Sequence, residues 1–149
     1  MDLEDEFGEN AYNSNTFLNY KCNVFGKMLM KSIKDGYDSI QFIKEVMTNQ
    51  NIAMSVFMCD DSQNWCDATF LYDTIVREMQ ADIPKGETWP EYELWFIGYL
   101  YKYWINTRKA LRKEILAMMP PELFHTRFGF YHTQGWDFII NEAIAEYKA

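Results

Sequence analysis

The amino-acid sequence predicts an all-α protein, a compact bundle of about six to eight short helices with a disordered acidic tail at its N-terminus. Apolar residues recur at intervals of three and four along most of the chain, and no segment alternates apolar and polar residues as a strand would. Hydrophobic residues make up 48% of the 149 residues, which is enough for one core. A chain of this size is expected to form a single domain.

The acidic residues are concentrated at the N-terminus. Residues 1–15 contain five of them and no basic residue, because the first cation in the chain is Lys21. A polar segment with charge of one sign favours a flexible tail. We therefore assign residues 1–15 to an acidic tail and residues 16–149 to one helical domain.

Four helices are predicted in the first half of the chain. They cover, in order, residues 16–33, 40–47, 51–57 and 68–79. Asp35-Gly36 supplies a stop for the first helix, and Asp38 or Ser39 can cap the second. A polar break at 60–64 separates the third helix from the fourth.

A linker at residues 81–90 divides the chain. It contains Pro84, Gly86 and Pro90, which interrupt helical structure, and we interpret it as a hinge between two helical halves. Four more helices follow, and Pro120-Pro121 ends the second of them. These helices cover residues 91–106, 108–119, 122–131 and 136–147.

The helix after the linker is unusual because it has almost no polar face. Residues 92–104 are rich in aromatic side chains, and only Glu93 and Lys102 are charged. A helix that is apolar all round is buried in a core, in a partner or in lipid. A glycine inside a helix costs about 1 kcal/mol relative to alanine, so Gly98 indicates a close backbone approach. Tyr and Trp are also enriched at binding hot spots, so one edge of this helix is expected to face a partner, with a purely structural role as the alternative.

Composition narrows the class of partner. The net charge of −8 disfavours strong nucleic-acid binding, which depends on clustered Lys and Arg, and favours a basic protein partner. The first residues lack a secretory pattern, and the aromatic stretch is shorter than the roughly 20 residues that a bilayer requires. We therefore expect a cytoplasmic protein without a membrane span, with Cys22, Cys59 and Cys66 as reduced thiols.

The sequence contains only incomplete matches to metal-binding and catalytic motifs. Asp60, Ser62 and Asn64 imitate the start of a calcium loop, but Trp65 and Leu71 stand where that loop needs Gly and Glu. The four potential zinc ligands do not have the short spacings of structural zinc sites; they are Cys59, Cys66, His125 and His132. No serine elbow is present. The sequence therefore predicts no catalytic residue, metal or cofactor.

One cluster of basic residues contrasts with the negative net charge of the chain. Arg108, Lys109, Arg112 and Lys113 would form two like-charge pairs four residues apart on one helix. Either this is a solvated face or it meets something acidic. Four charges are too few for strong DNA affinity.

Two short motifs in the last third of the chain carry a resemblance. The first has the form Gly-Tyr-x-Tyr-basic-Tyr/Trp and consists of Gly98, Tyr99, Tyr101, Lys102, Tyr103 and Trp104. The second is Tyr131-His132-Thr133, which a terminal helix follows. In these features, over about residues 91–144, the chain resembles a family of small antitoxin-like proteins of bacterial mobile elements.

The resemblance implies a protein that neutralises a toxin encoded beside it, a toxin of the ADP-ribosyltransferase type. Under this hypothesis three rings anchor the contact and three other side chains provide its polar part. The anchors are Tyr99, Tyr103 and Trp104, and the polar residues are Lys102, Tyr131 and His132. Two alternatives remain open: an acidic inhibitor that mimics DNA against a host nucleic-acid enzyme, and a small enzyme that uses His132 as a general base. The oligomeric state does not follow from the sequence.

Overall fold

A computed structural model of the chain describes residues 14–52, 67–79 and 82–149. Within these ranges it contains seven α-helices and no strand, which confirms the all-α prediction. The helices are α1 Ser14–Met30, α2 Ser39–Thr48, α3 Ala68–Glu78, α4 Glu91–Arg108, α5 Arg112–Met118, α6 Pro121–Tyr131 and α7 Trp136–Lys148. A 3-10 turn, Lys31–Ile33, extends α1. Most of the predicted tail and of the predicted third helix lies outside the described residues.

The helix boundaries follow the local signals in the sequence. Asp38 caps α2 by accepting a hydrogen bond from the backbone N–H of Gln41 at 3.0 Å. Asp67 does the same for α3, accepting from the N–H of Phe70 at 2.7 Å. Gly36 has a φ of 71°, a left-handed conformation that suits glycine and ends the 3-10 turn as expected.

The aromatic helix α4 forms the centre of the core. Its side chains Leu94, Ile97, Leu100 and Tyr101 are completely buried. Helices α1, α5, α6 and α7 all pack against it. Among the described residues, no helix is long and apolar enough to cross a membrane.

Helices α1 and α4 touch through their backbones. A Cβ atom added to Gly98 would lie 2.7 Å from Cα of Gly26, and one added to Gly26 would lie 2.6 Å from the backbone oxygen of Trp95. These are backbone atoms, so only a shift of a whole helix could make room. The close approach predicted from Gly98 is confirmed.

The loop before α4 is anchored to the start of α2. The N–H of Asp38 donates to the carbonyl of Pro84 at 2.8 Å, and the N–H of Trp89 donates to Oγ of Ser39 at 2.8 Å. The Trp89 side chain is buried. Residues 82–90 are therefore held against the start of α2, and the hinge interpretation stays a prediction.

The predicted helix over 108–119 is wrong at its start. Helix α4 continues to Arg108 and ends at Lys109, which adopts a left-handed φ of 53°. Helix α5 begins only at Arg112. Nothing in the local sequence indicates this break, because a left-handed C-terminal cap is usually glycine.

We expect Gly98→Ala to destabilise the protein by about 2 kcal/mol, since overpacking against the Gly26 backbone outweighs the helix propensity gained. Gly129→Ala is the matched control, because a Cβ on that glycine in α6 meets nothing within 4 Å. The control should be stabilised by up to about 1 kcal/mol. Urea unfolding measures both, and a Gly98→Ala variant as stable as wild type would contradict the backbone contact.

Tyr101 should make the fold sensitive to alkali. Its hydroxyl donates to the Met119 carbonyl at 2.5 Å, and burial raises the pKa of this phenol above its usual value. A raised pKa in the folded state means that its contribution to stability is intact below about pH 10 and is lost as the pH rises further. Above that pH, the unfolding free energy of the wild type should fall as the pH rises. In Tyr101→Phe this fall should be shallower by up to about 1.4 kcal/mol per pH unit.

The control for this measurement is Tyr147→Phe, which removes a hydroxyl from an exposed ring. Urea unfolding between pH 8 and 11.5 gives the slopes. Identical slopes for wild type and Tyr101→Phe would show that the buried phenol does not resist ionisation.

Candidate interaction surface

The six residues predicted to bind a partner lie in different environments. The structure buries Tyr99, Lys102, Trp104 and Tyr131, leaves Tyr103 partly exposed and exposes His132. Trp104 and Tyr131 are at most 1% exposed, so a partner could reach them only after the fold opened. The predicted contact set therefore needs correction, because four of its members offer almost no surface.

The buried tyrosines have polar partners inside the protein. The Tyr99 hydroxyl donates to Oδ1 of Asn19 at 2.6 Å. The Tyr131 hydroxyl accepts from Nη1 of Arg127 at 3.3 Å. Buried phenols of this kind supply apolar area while their hydroxyls stay satisfied, which is a structural role.

A different set of rings reaches the surface. We call it the aromatic face, and it consists of Tyr92, Trp95, Tyr103, Phe128 and Trp136. Tyr92 is 53% exposed, and the other four are partly exposed. Ring centroids are 6.0 Å apart for Tyr92 and Trp95, 5.7 Å for Tyr92 and Phe128, and 6.2 Å for Trp95 and Trp136. The face therefore joins α4, α6 and α7.

Trp136 packs the aromatic face against the core. Its ring stacks on Tyr99 at a centroid distance of 4.4 Å and contacts Phe96 at 4.6 Å. Both of those rings are buried beneath it. The aromatic face is thus supported from below by two buried rings.

The sequence contained a partial signal for this face. On α4, Tyr92, Trp95, Tyr99 and Tyr103 are spaced by three or four residues, which places them on one side of a helix. The contributions of Phe128 and Trp136 depend on how α6 and α7 pack. Spacing within one helix cannot reveal them.

One edge of the aromatic face is polar. The Tyr103 hydroxyl donates to Oδ2 of Asp137 at 3.1 Å, and Nη2 of Arg108 lies 3.3 Å from Oδ1 of the same carboxylate. Desolvation, and then this hydrogen bond to Asp137, raise the pKa of Tyr103. His132 lies beside the face, with its ring 5.5 Å from that of Phe128.

A second polar arrangement joins the anchored loop, α4 and α6. The Glu93 carboxylate, whose residue is only 5% exposed, is hydrogen-bonded to Nδ1 of His125. The imidazole stacks on Trp89 with a centroid distance of 4.7 Å and an angle of 12° between the rings. The sequence offered no sign of this cluster, because Glu93 and His125 are 32 positions apart.

His132 lacks such support. It follows α6 as an exposed residue, and no carboxylate in the described part of the chain pairs with it. A general base normally needs a group that orients it. The geometry therefore gives the enzyme hypothesis little support at His132.

Metal binding has no support in the described ranges, where no group of three or more His, Cys, Asp and Glu side chains could hold an ion. Cys59, Cys66 and the polar loop at 60–64 lie outside those ranges. The zinc and calcium patterns are therefore not assembled from the residues that the structure does describe.

The predicted basic patch is divided by the break at Lys109. Arg108 pairs with Asp137, while the Arg112 guanidinium donates to the carbonyls of Val46 at 2.6 Å and Asn49 at 3.0 Å. Arg112 thus satisfies carbonyls at the end of α2, and burial lowers its pKa. Only Lys109 and Lys113 of the four remain simply exposed.

Comparison with known proteins gives no relative for this chain: no protein-family model, no curated protein sequence and no solved structure matches it.

Arg112→Met should destabilise the protein by about 1–3 kcal/mol, because two carbonyls at the end of α2 lose a charged donor. Lys113→Met is the matched control on the same helix and should change stability by less than about 0.5 kcal/mol. Thermal unfolding of both variants checks this. Equal effects would mean that Arg112 belongs to a solvated basic face after all.

Proposed function

We propose that this protein is an antitoxin-like inhibitor that neutralises a cognate toxin by direct binding through the aromatic face. One observation carries the proposal: five rings from three helices meet at the surface and are partly exposed there. Tyr and Trp are the residues most enriched at the energetic centres of protein interfaces. The identity of the partner as a toxin, and its ADP-ribosyltransferase type, rest on the resemblance of the 98–104 and 131–133 motifs.

The rigidity of the face favours binding. Because Trp136 is stacked on Tyr99 and Phe96, its ring is held in place before any partner arrives. Binding through pre-ordered side chains loses less conformational entropy than binding through mobile ones. This argues for a contact surface rather than for incidental exposure of a few rings.

Charge favours a basic partner. The protein has a net charge of −8, and an acidic protein approaches a basic surface faster than a neutral one would. The Asp137 carboxylate at the edge of the aromatic face already contacts Arg108, so cations are accommodated beside the rings. A toxin whose substrate cleft is basic would fit this combination of rings and acidity.

Tyr92→Ala should weaken binding to the protein encoded by the neighbouring gene by about 30-fold, as expected for a hot-spot residue. Phe70→Ala is the matched control, because Phe70 is exposed to a similar extent, 50% against 53%, but lies on α3, which packs mainly against α1. Co-expression, co-purification and titration calorimetry measure the association, and a growth-rescue assay measures neutralisation.

The outcomes separate the hypotheses. Failure of the wild-type pair to associate or to rescue growth would refute the antitoxin role, and equal loss in both variants would refute the aromatic face. The DNA-mimic alternative replaces the antitoxin role if added DNA displaces the protein from a nucleic-acid enzyme and if the affinity of the protein for that enzyme falls steeply with salt. Thermal unfolding should show that Tyr92→Ala and Phe70→Ala remain folded.

A further inference from the structure

The pair formed by Glu93 and His125 is the chemically most defined group outside the aromatic face. Glu93 is buried on α4, and its carboxylate is hydrogen-bonded to Nδ1 of the His125 imidazole on α6. The histidine side chain is 39% exposed, although Trp89 covers one face of its ring. The cluster thus joins a buried acid to an accessible imidazole.

This geometry fixes which nitrogen is reactive. An ionised carboxylate only accepts hydrogen bonds, so the proton of a neutral His125 lies on Nδ1, where Glu93 accepts it. The lone pair then lies on Nε2, at the opposite edge of the ring, and no described residue bonds to that atom. A carboxylate that accepts from one ring nitrogen fixes the tautomer and the orientation of the imidazole, so the other nitrogen is the one available to react.

We propose that His125 is a phosphoryl-accepting histidine that reacts through Nε2, with Glu93 as its positioning residue. The donor class is a small activated phosphoryl compound, an acyl phosphate or a phosphoramidate. The Nε2 lone pair forms the new P–N bond while the bond from phosphorus to the leaving group breaks, and the leaving group departs with that electron pair. Nδ1 keeps its proton, and the Glu93 carboxylate balances the positive charge that develops on the ring.

Glu122, an acidic residue one helical turn from His125 on α6, does not present an unpaired negative charge to a phosphoryl group. Lys44 of α2 is 2.5 Å from the carboxylate of Glu122, which is one helical turn before His125 on the same helix. Lys44 keeps the pKa of Glu122 low by this hydrogen bond, so the two charges offset each other beside the imidazole. The Trp89 ring meanwhile holds the imidazole plane in one orientation.

His132 provides an internal comparison. It is the only other histidine in the chain, it is exposed, and its ring contacts Phe128 rather than a carboxylate. A difference in reactivity between the two histidines therefore reports on the Glu93 contact. This proposal does not depend on the antitoxin role.

The test uses the full-length protein and phosphoramidate as the donor. Mass spectrometry follows the rate of phosphorylation at each histidine, and phosphorus NMR distinguishes substitution at Nε2 from substitution at Nδ1. We expect His125 to react at Nε2 about tenfold faster than His132. The figure is the smaller loss, about tenfold, that metal sites suffer in affinity or activity when the carboxylate partner of a histidine ligand is removed. Glu93→Gln should reduce the His125 rate to that of His132.

Each result supports or refutes the proposal. Equal rates in the wild type, faster reaction at His132, or substitution at Nδ1 of His125 would overturn it without recourse to any variant. If Glu93→Gln folds, as judged by circular dichroism, and His125 still reacts at the wild-type rate, the positioning role is refuted. If that variant does not fold, the wild-type rate ratio and the nitrogen substituted decide, with His125→Gln confirming the assignment of the label.

Discussion

The backbone contact between α1 and α4 is the constraint on which the rest of the structure depends. Gly26 and Gly98 let the two helices approach until a single methyl group on either would collide with main-chain atoms. Because no side chain fits between the helices at that point, the large rings of α4 must lie to either side of it. The Trp95 ring passes over Gly26 and donates from Nε1 to Asn23 of α1 at 2.9 Å. The tight contact thus directs Trp95 toward the edge of α4, where it joins the aromatic face.

Much of this architecture could be predicted from local sequence signals. The all-helical class follows from the spacing of apolar residues along the chain. The cap at Asp38, the stop at Gly36 and the close approach at Gly98 each follow from one residue type in one backbone environment. The break at Lys109 could not be predicted, because lysine rarely adopts the left-handed conformation that ends α4 there.

The candidate sites were harder to predict, for a physical reason. A helix that is apolar all round does not indicate which side faces the core, so Trp104 was expected at a surface although the structure buries it. The cluster of Trp89, Glu93 and His125 depends on contacts between a loop and two helices. Such contacts leave no periodic trace in the sequence, and only a tertiary structure brings them together.

Trp136 packs against α4 and so connects the last helix to the central helix of the core. This ring begins α7 and covers Phe96 and Tyr99, so fraying of the last helix would uncover part of the core. A macromolecule resting on Trp136 would hold that helix down and suppress such opening events. Proteases cut chains mainly in opened states, so such a contact would also slow proteolytic cleavage of the chain.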